Sequence, residues 1–199
     1  ELRSHLPELQ SALHYEGALS SARLAELDAL ITRLARRRPL DVEADHVELF
    51  DRGRGTALHL FEHVHGDSRD RGPAMVDLCQ TYEAAGLFLA PGELPDHLTV
   101  VLQYASTQPS AQAKAFLGEI AHILQVIFSA LLRREAAHAC VLAALLDLAG
   151  EARHTMRRAV WQPLEGRHFA FHGRAIQVIE DADHCRWVRA ADVRGQTLP

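Results

Sequence analysis

Leucines and isoleucines recur three and four residues apart along most of the chain, the spacing that gathers them on one face of a helix. Ser20 and Ser21 precede such a run, in which Leu24, Leu27, Leu30, Ile31 and Leu34 share a stripe. Arg36 to Arg38 put positive charge at its C-terminal end, where the helix dipole favours it, and a solvated helix end is the plainer and favoured reading of them. Pro39 predicts a stop, Asp41 the start of a short helix carrying Val42, His46, Leu49 and Phe50, and Gly53 with Gly55 a turn. A further helix, opening at Asp67 or Ser68, carries Met75, Leu78, Cys79 and Tyr82, with Gly86 placed to cap its end. Pro91, Gly92 and Pro95 form a connection, and Asp96 starts a helix with Leu98, Val101, Leu102 and Ala105. From Ser110 to Ala149 no Gly-Pro break occurs, and Phe116, Ile120, Leu124, Ile127 and Leu131 keep the helical period. That length exceeds an ordinary globular helix, so a division is expected near Arg134. The second piece, with Val141, Leu142, Leu145 and Leu148, is apolar nearly all round, the mark of a central buried helix.

Past Gly150 the period changes. Phe169, Phe171, Ile176 and Val178 alternate, and the polar stretch from Glu180 to His184 is followed by Cys185-Arg-Trp187-Val188, which predicts two strands and a turn. Two strands alone are marginal in water, so the expectation is that they either dock on the helices or stay poorly ordered. The predicted fold class is all-α: a helical bundle over residues 1–150, with a divergent C-terminal segment, 151–199, forming a β-hairpin.

Composition sets the outer bounds. The 199 residues are 48% hydrophobic and 24% charged, a foldable globular balance. The net charge of −5 and the pI of about 6.2 disfavour nucleic acid, which needs clustered positive charge, and suit attraction of a basic peptide. Three scattered cysteines, Cys79, Cys140 and Cys185, make no C-x-x-C pair, which points to a reducing cytoplasm. No signal peptide is visible and no apolar run is read as approaching the roughly 20 residues that span a bilayer; the longest, 139–149, is broken by Asp147. G-x-S-x-G, Walker A and G-x-G-x-x-G are absent from the sequence.

Chemistry gathers in "HLFEHVHG", residues 59–66. Its first five letters spell H-x-x-E-H, the pattern of a class of zinc proteases. On a helix His59 and His63 stand at i and i+4 with their imidazoles on one side, a start for zinc, and Glu62 then polarises a bound water. A third ligand is required, for which Glu119 and Glu135 qualify by position only. The competing reading makes His59, His63 and His65 hydrogen-bonding groups on a helix end and its loop. Glu62, Asp67 and Asp70 cluster beside Arg69 and Arg71, and an ion-paired loop explains these five more simply than acid–base catalysis.

At greater length the stretch reads "ELFDRGRGTALHLFEHVHGDSRDRGPAMVDL", residues 48–78, with "ELPDHL", residues 93–98, downstream. Together they closely resemble the NarJ-type assembly chaperones of respiratory nitrate reductase, within the wider TorD-like family. The resemblance covers roughly residues 1–150. It implies an all-helical, cytoplasmic protein with no enzymatic activity and no cofactor of its own. The implied client is the molybdenum-containing α subunit of nitrate reductase, whose N-terminal peptide is held while molybdenum cofactor and iron–sulfur clusters are inserted. Proteins of molybdenum cofactor biosynthesis are further implied partners; nucleic acid and stable membrane insertion are not. A short amphipathic peptide can lay its apolar face in a groove between helices, steered by an acidic rim.

Carried over by position, the implied peptide-binding residues are Phe50, Asp51, Arg52, His59, Leu60, Phe61, Glu62, His63, His65, Arg69, Asp70, Arg71, Pro95, Asp96 and His97. Several have plainer readings: Leu60 and Phe61 as core, Arg69–Asp70–Arg71 as a structural ion-pair network, Asp96 as a helix N-cap. His65, next to Gly66, is a candidate proton-sensitive contact. The chain departs from the family in three places. Glu1 enters after the position of a first helix and a "YPD"-like turn, so that helix is expected to be missing. Thr99 and Gln103 stand where the second motif usually continues with proline and glutamate. The tail replaces an acidic, flexible one, and residues 168–193 resemble the strand region of BRO-type phage antirepressors without a complete domain, so no DNA binding is assigned.

Overall fold

Ser20, four residues ahead of Leu24, turns its hydroxyl onto the Arg23 N–H at 3.2 Å and starts a helix where the sequence expects one. The structure, a computed structural model, describes residues 2–150, 168–171, 174–181 and 184–189. Its helices are α1 (Leu2–Tyr15), α2 (Ser21–Arg36), α3 (Pro39–His46), α4 (Leu60–Val64), α5 (Arg71–Ala84), α6 (Leu98–Thr107), α7 (Ser110–Arg133) and α8 (Ala139–Ala149). Three strands follow, β1 (His168–Phe171), β2 (Arg174–Asp181) and β3 (His184–Arg189). The helical reading of residues 1–150 therefore stands.

The differences are local. Leu2–Tyr15 is helical although no element was expected there. Pro39 begins α3 as well as ending α2, since a proline in the first helical turn loses no hydrogen bond. The short helix expected from Asp41 runs on through a π-turn, Val47–Asp51. α5 begins at Arg71, several residues later than Asp67 or Ser68, and Gly86 follows its end at φ 77°. The tail holds three antiparallel strands in the order β1-β2-β3, not two. Phe171 pairs with Arg174, so the run read as one strand is two antiparallel strands, β1 and β2. The alternating side chains expected in those strands lie outside the described residues.

Two compact units divide the chain: Glu1–Leu58 with Leu98–Ala159, and His59–His97 with Val160–Pro199. In the first, α7 packs against α6 and α8, and α2 against α1 and α8. Leu124, Ile127 and Leu131 of α7 are wholly buried, as is Ala143 of α8. Leu27 and Leu30 meet Cys140 and Ala144, with Leu13, Leu19 and Leu34 packed around them. Arg23 is buried too, and its guanidinium bonds to Asp147 (2.8 Å) and Glu26, tying α2 to α8. α7 is long and apolar enough by length and composition to cross a membrane, contrary to the expectation that nothing approaches that length. Nine of its residues are buried within the fold, which marks it as a core helix. The chain leaves this unit at Leu58 and re-enters at Leu98, where the Leu98 N–H donates to the Leu58 carbonyl at 2.8 Å.

Candidate functional site

The second unit starts and returns on histidines. His59 and His97 are partners in an isolated antiparallel bridge, and the adjoining Leu60 N–H donates to the Asp96 carbonyl at 3.0 Å. This makes the two histidines a non-hydrogen-bonded pair, the kind in which side chains lie close. Their rings meet nearly edge to face, centroids 4.9 Å apart.

Asp96 ties together the helix starts around it. Its side chain is fully buried. Carboxylate Oδ2 accepts from the Phe61 N–H at 3.1 Å and lies 3.6 Å from Arg71 Nη2. α4 has no side-chain cap from its own N-cap residue, His59, so a residue 35 positions away supplies the acceptor for its first turn. Arg71, at the start of α5, also faces Glu62 at 3.9 Å. At the other end of α5 the Tyr82 hydroxyl donates to the Pro95 carbonyl at 2.8 Å, which fixes the turn that presents Asp96.

The motif thus divides by exposure. Leu60, Phe61, Pro95 and Asp96 are buried; Glu62, Arg69 and Asp70 are exposed; His59, His63, His65, Arg71 and His97 are half-buried. The His65 ring stands edge-on to Phe61, centroids 5.4 Å apart. Burial is the main influence on His65 and holds it below the usual histidine value, with Arg71 adding to this and Asp70 and Asp96 opposing it.

Zinc chemistry loses its premise in this geometry. α4 begins at Leu60, and His59 sits before it in extended backbone (φ −84°, ψ 102°), so His59 and His63 are not two positions of one helix. His59 Nδ1 faces Asp96 Oδ1 at 3.5 Å instead. Among the described residues no group of three or more His, Cys, Asp and Glu side chains is arranged to hold a metal ion.

Phe50, Asp51 and Arg52 belong to the first unit. Phe50 is buried with its ring between those of His46 and His138, while Asp51 and Arg52 are exposed and Arg52 pairs with Glu48 at 3.2 Å. The turn after them is held by a residue that sequence reasoning did not connect with it. Arg134 Nη1 donates to the Leu49 carbonyl at 3.1 Å and to Thr56 Oγ1 at 3.2 Å. Thr56, almost wholly buried, donates in turn to the Leu49 carbonyl. Gly53 is needed there because a Cβ would lie 2.5 Å from Arg134 Nη1 and 2.9 Å from the Leu49 carbonyl. The glycines announced the turn; nothing in the local sequence announced Arg134, 85 residues away.

Beside this turn the first unit has a cleft of about 280 Å³. Leu30, Leu34, Val42 and Leu49 are among its apolar lining, and Arg33, Arg37, Asp45, Glu48, Arg134 and Glu135 bring charge of both signs. Arg37 is paired with Asp45. Glu135, in the short link between α7 and α8, has φ 52°, a left-handed conformation uncommon for a residue with a side chain.

A profile of the nitrate reductase delta subunit family matches residues 16–145. The chain belongs to that family. Among its relatives, the nitrate reductase molybdenum cofactor assembly chaperone NarJ of Escherichia coli K12 is 44% identical over 151 residues, 76% of this chain and 64% of the relative. The probable assembly chaperone NarW of the same strain is 51% identical over 113 residues, 57% of this chain and 49% of the relative. The nitrate reductase-like protein NarX of Mycobacterium tuberculosis is 38% identical over 94 residues, 46% of this chain but 14% of its own length. The chain thus spans less than two thirds of the length of these relatives. The matched 16–145 segment of the delta subunit family contains both the 48–78 stretch and the 93–98 motif, so the family's similarity runs through both units.

Proposed function

We propose that this chain is an enzyme-specific chaperone of nitrate reductase maturation, acting in the cytoplasm and carrying no catalysis of its own. It holds the N-terminal peptide of the α subunit and keeps the apoenzyme competent for molybdenum cofactor insertion and membrane assembly. The observation that carries the reading is the 44% identity to the assembly chaperone NarJ over 151 residues. The motif's chemistry agrees with it: its buried members serve hydrogen bonding and packing, its exposed members are charged side chains, and none is set up for bond breaking.

Two surfaces suit a peptide. Glu62, His63, His65, Arg69, Asp70, Arg71 and His97 offer polar contacts from the second unit, supported from within by Leu60, Phe61, Pro95 and Asp96. In the first unit Asp51 and Arg52 are exposed, and the cleft gives apolar side chains a floor with charges around it. Its volume, about 280 Å³, gives room for a few peptide side chains. Release is part of the task, so an affinity near ~1 µM, about −8 kcal/mol, fits it better than irreversible capture. Calorimetry with a synthetic peptide copying the first ~15 residues of a nitrate reductase α subunit tests the proposal, since helix-in-groove recognition needs only a few turns. Saturation at one peptide per chain is expected; no heat at high micromolar peptide overturns it.

A further inference from the structure

Two buried polar atoms of the second unit have no hydrogen-bond partner, and they face each other: His59 Nδ1 and Asp96 Oδ1, 3.5 Å apart. Buried groups of this kind are rare because an unmet donor or acceptor loses its water for nothing. The surroundings say which atom carries the hydrogen. Oδ2 of the same carboxylate already faces two donors, the Phe61 N–H and the Arg71 guanidinium, an arrangement suited to a carboxylate that only accepts. With hydrogen on the far nitrogen, Nε2, His59 would turn a lone pair towards the lone pairs of Oδ1. With hydrogen on Nδ1, the two atoms attract across 3.5 Å, and a slight approach joins them in one bond.

We infer that His59 is held as its Nδ1–H tautomer by Asp96 and that this pair fastens the start of the 59–97 segment to its end. The carboxylate spans three points: His59 ahead of α4, the first turn of α4 through Phe61, and the start of α5 through Arg71. The Asp96 backbone carbonyl adds a fourth tie, to the Leu60 N–H. His59 and Asp96 are therefore positioning residues. They set the direction in which α4 leaves and hence where the exposed Glu62 and the half-buried His63 and His65 stand. The inference concerns the chain's own closure and holds whatever occupies that face.

Long-range nitrogen–proton NMR of the imidazoles in the full chain, recorded at mildly alkaline pH, tests it directly. The His59 pattern of a hydrogen on Nδ1 is expected, and the Nε2–H pattern overturns the inference. Substitution gives an independent reading, because asparagine places an amide N–H close to the position of Nδ1 and glutamine places one near Nε2. His59→Asn is expected to keep the Leu60 and Phe61 amides protected from hydrogen exchange. His59→Gln and Asp96→Asn are expected to speed that exchange by roughly tenfold, the scale of one charge-assisted bond. Equal exchange in His59→Asn and His59→Gln refutes the fastening. Should Asp96→Asn fail to fold, the wild-type tautomer and the two His59 variants still decide the matter.

Discussion

At the scale of single residues, Gly53 and Arg134 act as one feature. The guanidinium occupies the space a side chain at residue 53 would need, and it is anchored there by Leu49 and Thr56. Gly53→Ala is expected to destabilise the fold by about 1–3 kcal/mol, the usual cost of overpacking, read from urea denaturation. Gly72 makes a direct contrast: it lies in α5, and a Cβ there would meet nothing within 4 Å. Gly72→Ala is expected to be neutral or to stabilise by up to about 1 kcal/mol, because alanine is the better helix former. Combining Gly53→Ala with Arg134→Met should cost less than the sum of the two, since the guanidinium that an added methyl group would displace is already gone. Asp96 carries a different lesson. The sequence reading made it a helix N-cap or a peptide contact, and its full burial leaves no exposed surface for direct contact, while its carboxylate meets an amide of α4.

At the scale of elements, helices differ in what makes them helices. α2 carries its own start signal in Ser20, so Ser20→Ala is expected to cost about 0.5–2 kcal/mol, measurable as a lower denaturation midpoint. α4 has five residues, too few to persist alone, and depends on Asp96 and on the burial of Leu60, Phe61 and Val64. α7 depends on packing along most of its length. Leu124→Ala is expected to cost about 2–5 kcal/mol, because the side chain is wholly buried among neighbours that cannot close the gap. The same burial explains why its apolar composition, sufficient for a membrane span, serves a core. The tail's third strand was missed although the alternation slips from odd positions, Phe169 and Phe171, to even ones, Ile176 and Val178, which a single strand of period two does not do.

At the scale of the whole molecule, mild acid is expected to weaken the fold through its buried histidines. Burial is the first cause holding His65, His122 and His138 below the ordinary histidine value of 6.5. For His138, His46 and Arg33 push further in the same direction, against Asp45. As pH falls through 6.5 the unfolded chain takes up protons that these folded imidazoles refuse, so stability drops, and the loss levels off only once the folded groups also charge. Asp28 and Asp45 are held below the usual 3.8 by hydrogen bonds, to His14 and Gln10 and to Arg37 respectively, so their contribution is lost only in stronger acid. Urea midpoints measured from about pH 7.5 to about pH 5.5 should therefore fall, and less so in His122→Phe. An unchanged midpoint over that range contradicts this.

The order and period of the helices were written in local spacing: apolar residues three and four apart, a serine ahead of them, glycines and prolines between them. Two contiguous stretches, 48–78 and 93–98, were enough to indicate the family. What remained hidden were the meetings of residues distant in the chain. His59 was open between a helical metal pair and a hydrogen-bonding group until the fold set it in extended backbone beside Asp96. Thr56 and Arg134 carried no signal of their role, and Leu60 and Phe61 were undecided between core and contact until their burial was known. The physical reason is the same in each case. Periodicity encodes which side of an element is apolar, whereas the partner of a buried polar group is chosen by tertiary proximity, 35 residues away for Phe61 and 85 for Leu49.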